Sequence, residues 1–212
     1  NLSYERNRLV TFTNLFKLMN TNYTKNSKAS DVAILGIFIA IMLFIHLISR
    51  IIYSFWPFPI QPTLVHIPVI IGSIVLGWRK GAFLGFVMGL ISFLNSTLAP
   101  IPTSFLFSPF VPHGNIWSLF IAFIPRIIVG ILPFFIFHLI KNRWGAGIAG
   151  FSGSAINTIL VLSSAFIFFN DQLNMTFKTL VATIITTNSI VEAITATILC
   201  TSLVPILLKF RN

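Results

Sequence analysis

Four polar side chains sit where a chain built for lipid should have none: Arg126, Asn157, Asn188 and Glu192. Arg126 interrupts the apolar stretch "FIPRIIVGILPF" (123–134), and Asn188 and Glu192 lie one turn apart in "NSIVEAI" (188–194). An arginine at the centre of a membrane helix costs about 2.5–3.5 kcal/mol on insertion scales, so such a residue must face the bundle interior and meet polar groups or a ligand. Two chemistries fit the set. In one, Arg126 and Glu192 form a buried ion pair bracketed by asparagine hydrogen bonds. Buried pairs often add little net stability, so this explains tolerance of the charges better than their presence. In the other, the cluster floors a pocket, and Arg126 offers its planar fork of donors to a carboxylate or carbonyl.

The elements that must position these residues are read from hydropathy. Of 212 residues, 56% are hydrophobic and 8% charged, with mean hydropathy +0.92. Soluble domains carry about 25% charged residues. A soluble chain could not bury so much apolar surface, so the bilayer is its solvent. Six apolar segments follow, at about 31–52, 63–77, 81–95, 116–140, 146–169 and 179–208, with Asp31 as an N-cap and Trp78-Arg79-Lys80 as a basic turn. Two of these are shorter than the roughly 20 residues of an ordinary span, and are expected to be tilted or shielded by neighbours. Residues 1–30 form a polar segment with no apolar signal-peptide core.

Charge sets the orientation. With the N-terminus inside and six spans, all of the fourteen Lys and Arg except Arg50, Arg126 and Lys178 fall at the inner face. The net charge of +10 is thus a topology signal rather than a nucleic-acid surface. The expected fold is an all-α integral membrane protein with six transmembrane helices and both termini cytoplasmic, residues 31–212 forming the membrane domain.

Counting about 1.5 Å per helical residue, Arg126 lies roughly 13 Å below Trp117, near the middle of a ~30 Å core. Asn157 and Glu192 reach similar depth on two other helices. Recognition faces outward: the first outer loop is aromatic and proline-rich, including Trp56 and Phe58, and the second (about 96–115) carries four prolines and His113. Small residues four apart mark packing faces: Gly36/Ala40 on the first helix, Gly81/Gly85/Gly89 on the third, and Gly145/Ala149/Gly153 on the fifth, continuing to Asn157. Most such faces pack internally, but a terminal helix can offer its face to another protein. No phosphate loop, metal-ligand spacing or nucleophile elbow occurs, so neither a catalytic residue nor a metal site is expected. The single Cys200 can form no disulfide within the chain.

The run "LVHIPVIIGSIVLGWRKGAFLGFVMGLISF" (64–93), with "SFLFSPF" (104–110), "PRIIVG" (125–130), "NT" (157–158) and "NSIVEAI", resembles the S components of energy-coupling factor (ECF) transporters. The resemblance covers roughly 31–209 and is strongest to pantothenate-specific members, with riboflavin and pyridoxine or hydroxymethylpyrimidine members as alternatives. It implies a vitamin-binding subunit of a prokaryotic plasma membrane, without a cofactor of its own. Its partners would be a transmembrane coupling subunit and two ATPase subunits that use the ATP. It also implies docking through small residues on the first helix, here Ala33, Gly36 and Ala40, with delivery by toppling in the membrane. For pantothenate, Arg126 would take the carboxylate, and Asn157, Asn188 and Glu192 the hydroxyl and amide groups. Asn95, His66, Trp56 and Phe58 complete the substrate-binding set. The rival from another class is a stand-alone carrier that uses Glu192 as a proton relay, and a third reading is a structural membrane subunit without a ligand.

Overall fold

A computed structural model describes residues 28–55, 64–173, 176, 179, 182 and 187–211. The elements there are helical: α1 (Lys28–Ser54), α2 (His66–Leu76), α3 (Trp78–Leu98), a 3-10 turn (Ser104–Leu106), α4 (Ile116–Ile140), α5 (Arg143–Leu173) and α6 (Thr187–Arg211). Five of the six α-helices are long and apolar enough to cross a membrane, and α2 is shorter. The chain divides into two compact units at Gly36, within α1. Of the first unit only 28–36 is described, and the packing below belongs to the second.

Several boundaries differ from those expected. Helix α1 starts at Lys28, so Asp31 lies inside it rather than at its cap. Lys28-Ala29-Ser30 contains no breaker, and alanine extends a helix readily. The basic turn Trp78-Arg79-Lys80 is the first turn of α3, which is 21 residues long. The break from α2 falls on Gly77 alone, at φ 99°, a backbone region that glycine enters without steric cost. Finally, α5 extends to Leu173 through a kink at Phe169, whose φ of −133° is non-helical.

Helix α2 is 11 residues long, and every one of them is buried. A helix too short to span lipid is tolerated when neighbouring protein covers its ends, because its unpaired backbone groups then do not face hydrocarbon. It packs against α3, α4, α5 and α6. In contrast, among the described residues of α1 only Phe38 and Met42, one turn apart, are buried, with Phe38 beside Gly72 of α2.

Glycines set how closely the central helices approach. A Cβ at Gly81 would strike the Gly130 carbonyl, one at Gly85 the Arg126 carbonyl, and one at Gly89 the Ala122 carbonyl. The three contacts step together along antiparallel α3 and α4, one turn at a time. The expected Gly81/Gly85/Gly89 face is therefore an internal seam, with backbone against backbone. A second seam joins α5 to α6, where Gly147 meets Thr197 and Thr201 and Gly150 meets Ala196. Gly153 turns elsewhere, onto Ile70 of α2 and Pro133 of α4.

Candidate functional site

Arg126 owes its setting to its neighbour. Pro125 has no N–H, so the Ile121 carbonyl one turn earlier lacks its helical partner. The Arg126 guanidinium supplies the missing donor: its Nη1 donates to the Ile121 carbonyl oxygen. Side chains on a helix lean toward its N-terminus, so this back-reach is the natural one. It carries the guanidinium toward the end of the bundle that bears residues 99–115, called here the loop end.

A ring from that loop covers the guanidinium. The Arg126 Cζ lies 4.7 Å from the centroid of Phe107, a cation–π contact. Phe107 directly follows the 3-10 turn and is fastened on both sides. Ser118 Oγ donates to the Phe105 carbonyl (2.6 Å), and the Thr97 and Ser108 hydroxyls are 2.8 Å apart. Leu106 is buried against Ile121, Ala165 and Phe169. Ser118 also caps α4, accepting from Asn115 N at 3.1 Å while Asn115 Oδ1 accepts from Trp117 N at 2.9 Å.

With one nitrogen on a carbonyl and one face under a ring, Arg126 is buried and its Nε has no hydrogen-bond partner. None of its contacts among the described residues is to Glu192. The packing register explains why. Pro133 meets Gly153, and Ile121 clusters with Ala165, so antiparallel α4 and α5 place Arg126 level with residue 160. Glu192 lies one turn toward the loop end from Ala196, which meets Gly150, and so is level with Ser154. At about 1.5 Å per residue the two levels are roughly 9 Å apart, and the Arg126 side chain turns further away.

The other candidates sort along the same ruler. Asn157 and Glu192 are both buried, and Asn157 Oδ1 has no donor. His66 is fully buried, and because Ile70 meets Gly153 in antiparallel register, His66 stands level with Asn157. Ser154, which no sequence pattern singles out, is 1% exposed with an unpartnered Oγ. Together these residues form a polar ladder running away from Arg126 between α2, α4, α5 and α6. Asn95 is not part of it. The α3–α4 register puts it level with residue 116, roughly 15 Å beyond Arg126 toward the loop end. There it interacts with His46 of α1. Asn188 is in the first turn of α6, but its side chain lies outside the described residues, as do Trp56 and Phe58 entirely.

A cavity of about 530 Å³ opens at the loop end, lined by Pro100, Phe105, His113, Asp171 and Gln172 among others. Phe105 lines it, and its ring is 5.4 Å from that of Phe169. An aromatic layer of Phe105, Phe107 and Phe169 thus closes Arg126 from above. On α1, Ala33, Gly36 and Ala40 are all exposed, and a Cβ at Gly36 would touch nothing. The described residues hold no cluster of three metal-ligating side chains.

The chain is 58% identical over 193 residues to the pantothenic acid transporter PanT of Lactococcus lactis subsp. cremoris, covering 89% of this chain and 98% of that protein. It is 33% identical over 118 residues to the pantothenate transporter PanT of Leuconostoc mesenteroides, covering 48% and 50% respectively. The family model described as "ECF transporter, substrate-specific component" matches residues 30–208. With the match running through all six helices, the chain belongs to the family of substrate-specific components of ECF transporters.

Proposed function

We propose that this protein captures pantothenate at the outer face of a prokaryotic plasma membrane and delivers it inward by toppling on a coupling subunit. As a substrate-specific component it is a transport subunit and not an enzyme. The fold crosses the membrane six times, counting the shielded α2, with both termini and the polar segment 1–30 in the cytoplasm. The loop end faces outside.

The observation that carries the reading is the Arg126 guanidinium, buried at the head of a polar ladder with its Nε unpartnered among the described residues. An open donor edge on a fixed cation suits a carboxylate, which binds arginine through two parallel hydrogen bonds. Pantothenate has its carboxylate at one end and two hydroxyls at the other, with an amide between. Extended, it is about three residues long, or roughly 10 Å. That length matches the reach from the Arg126 guanidinium down the ladder to the level of Asn157. A hydroxyl proton would meet Asn157 Oδ1, an acceptor with no partner among the described residues.

Coupling follows from the remaining surface. Helix α1 exposes Ala33, Gly36 and Ala40, a small face to which another helix backbone can come close. The partners are a transmembrane coupling subunit and two ATPase subunits, which use the ATP. The test is thermal stabilisation of the purified protein by a vitamin panel. A ligand at 100 times its Kd adds about 2.7 kcal/mol to apparent stability. Pantothenate is expected to raise Tm clearly, while riboflavin, pyridoxine and hydroxymethylpyrimidine leave it unchanged. A shift with one of those three instead would overturn the assignment.

A further inference from the structure

Arginine carries two very different surfaces, a donor edge and a flat face, and a site must decide which of them meets the ligand. Here both choices are made by residues that would not themselves touch the carboxylate. Pro125 frees the Ile121 carbonyl, and that carbonyl takes Nη1. Phe107 takes the face, at 4.7 Å. The Nε edge is what remains, and Nε is the nitrogen without a partner.

Neither constraint is loose. The carbonyl belongs to a residue that is itself fully buried in the Leu106, Ala165 and Phe169 cluster. The ring hangs between two anchored neighbours, Leu106 in that cluster and Ser108 on Thr97. Backbone bonds from Phe107 N and Ser108 N to the Ser104 carbonyl, both 3.0 Å, tighten the same turn. Moving Phe107 away would undo contacts to α3, α4 and α5 at once. The loop is therefore a fixed cover rather than a flap.

We propose that Pro125 and Phe107 are positioning residues, a clamp that presents the side-on edge of Arg126 to the ligand and so makes the site select a carboxylate over a neutral group. This rests on the reading of Arg126 as the carboxylate holder. A guanidinium free to rotate would spread its donors over several poses and lose the paired geometry on which that selection depends. The clamp also keeps the ligand from stacking on the guanidinium face that Phe107 covers.

The experiment compares pantothenate with panthenol, in which an alcohol replaces the carboxylate, by calorimetric titration of the purified protein. The readout is the ratio of the two Kd values. Arg126→Gln tests the underlying reading and is expected to abolish the preference. Phe107→Leu and Pro125→Ala are each expected to cut it about tenfold while panthenol binding changes little, in keeping with the loss of one cation–π contact or one charged hydrogen bond. Phe107→Tyr, which keeps a ring, is expected to restore the preference. If Arg126→Gln loses the preference but Phe107→Leu and Pro125→Ala keep it, the clamp is wrong and the carboxylate reading survives. If Arg126→Gln keeps it, the reading beneath fails. An equal loss of affinity for both ligands in the leucine and alanine variants also overturns the clamp, since that is the mark of general packing damage.

Discussion

Asn157 presents a buried side-chain oxygen with no donor among the described residues, about one helical turn along the ladder from the level of Arg126. Buried acceptors are nearly always satisfied, so an orphan one in a polar strip is matched to something that arrives. Asn157→Ala is expected to weaken pantothenate binding by roughly five- to tenfold, the worth of about one hydrogen bond. Titration of the purified variant measures this, and an unchanged Kd would confine Asn157 to a structural role. The sequence reveals Arg126, Asn157 and Glu192 because a charge or amide in an apolar run is too costly in lipid to be incidental. It does not reveal Phe107, one of 23 phenylalanines, since nothing local distinguishes the ring that lies on a guanidinium. Pro125 is visible but reads only as a bend until the Ile121 carbonyl is seen to take Nη1. The levels of Arg126 and Glu192 are visible only in the packing register: equal depth counted from the two helix ends conceals a separation of roughly 9 Å along the bundle.

At the level of helices, three small-residue faces look alike in sequence but do different work. On α3 the glycines let the α4 backbone approach, which pins the main chain of Arg126 against Gly85 and turns its side chain away from α3. On α5 the useful pair is Gly147 and Gly150 against α6, a spacing of three that a search for spacings of four misses. On α1 the face is open. Spacing finds such faces, but what covers them depends on how the helices rotate, which no local pattern contains. The span count is likewise legible from hydropathy, whereas the one-residue break at Gly77 is not, because a basic cluster beside it resembles a turn. The α3–α4 seam makes a clear prediction. A methyl at Gly81 would meet the Gly130 carbonyl, backbone that cannot yield as a side chain would. Gly81→Ala should therefore cost about 1–3 kcal/mol by overpacking, a drop of roughly 2–12 °C in Tm for a chain of this size. Thermal unfolding in detergent reads it, with Gly36→Ala as the comparison expected to unfold as the parent does. An unshifted Tm in Gly81→Ala would mean the two backbones have room to part.

For the molecule as a whole, the same architecture has to bind tightly and yet move as one body. The seams lock α3 to α4 and α5 to α6, the short α2 is enclosed among them, and the loop over Arg126 is fastened to two helices. Little in this body can deform to let a ligand pass through it, which favours carrying the site across the membrane over opening a channel within. A rigid body that rotates needs a surface to rotate on, and the proposed one on α1 has residues whose changes can be separated from the site. Gly36 has open space where a side chain would go, and Ala40 is exposed, so bulk at either position does not disturb the fold. Gly36→Leu and Ala40→Leu are therefore expected to bind pantothenate with unchanged Kd. Uptake should nevertheless fall at least about tenfold in vesicles holding the coupling subunit and both ATPases, because close helix approach depends on small residues. Loss of binding in these variants would show that α1 shapes the site after all. Normal uptake would mean that the docking face lies elsewhere on the molecule. Binding without transport is the result that ties the rigid body to its surface of rotation.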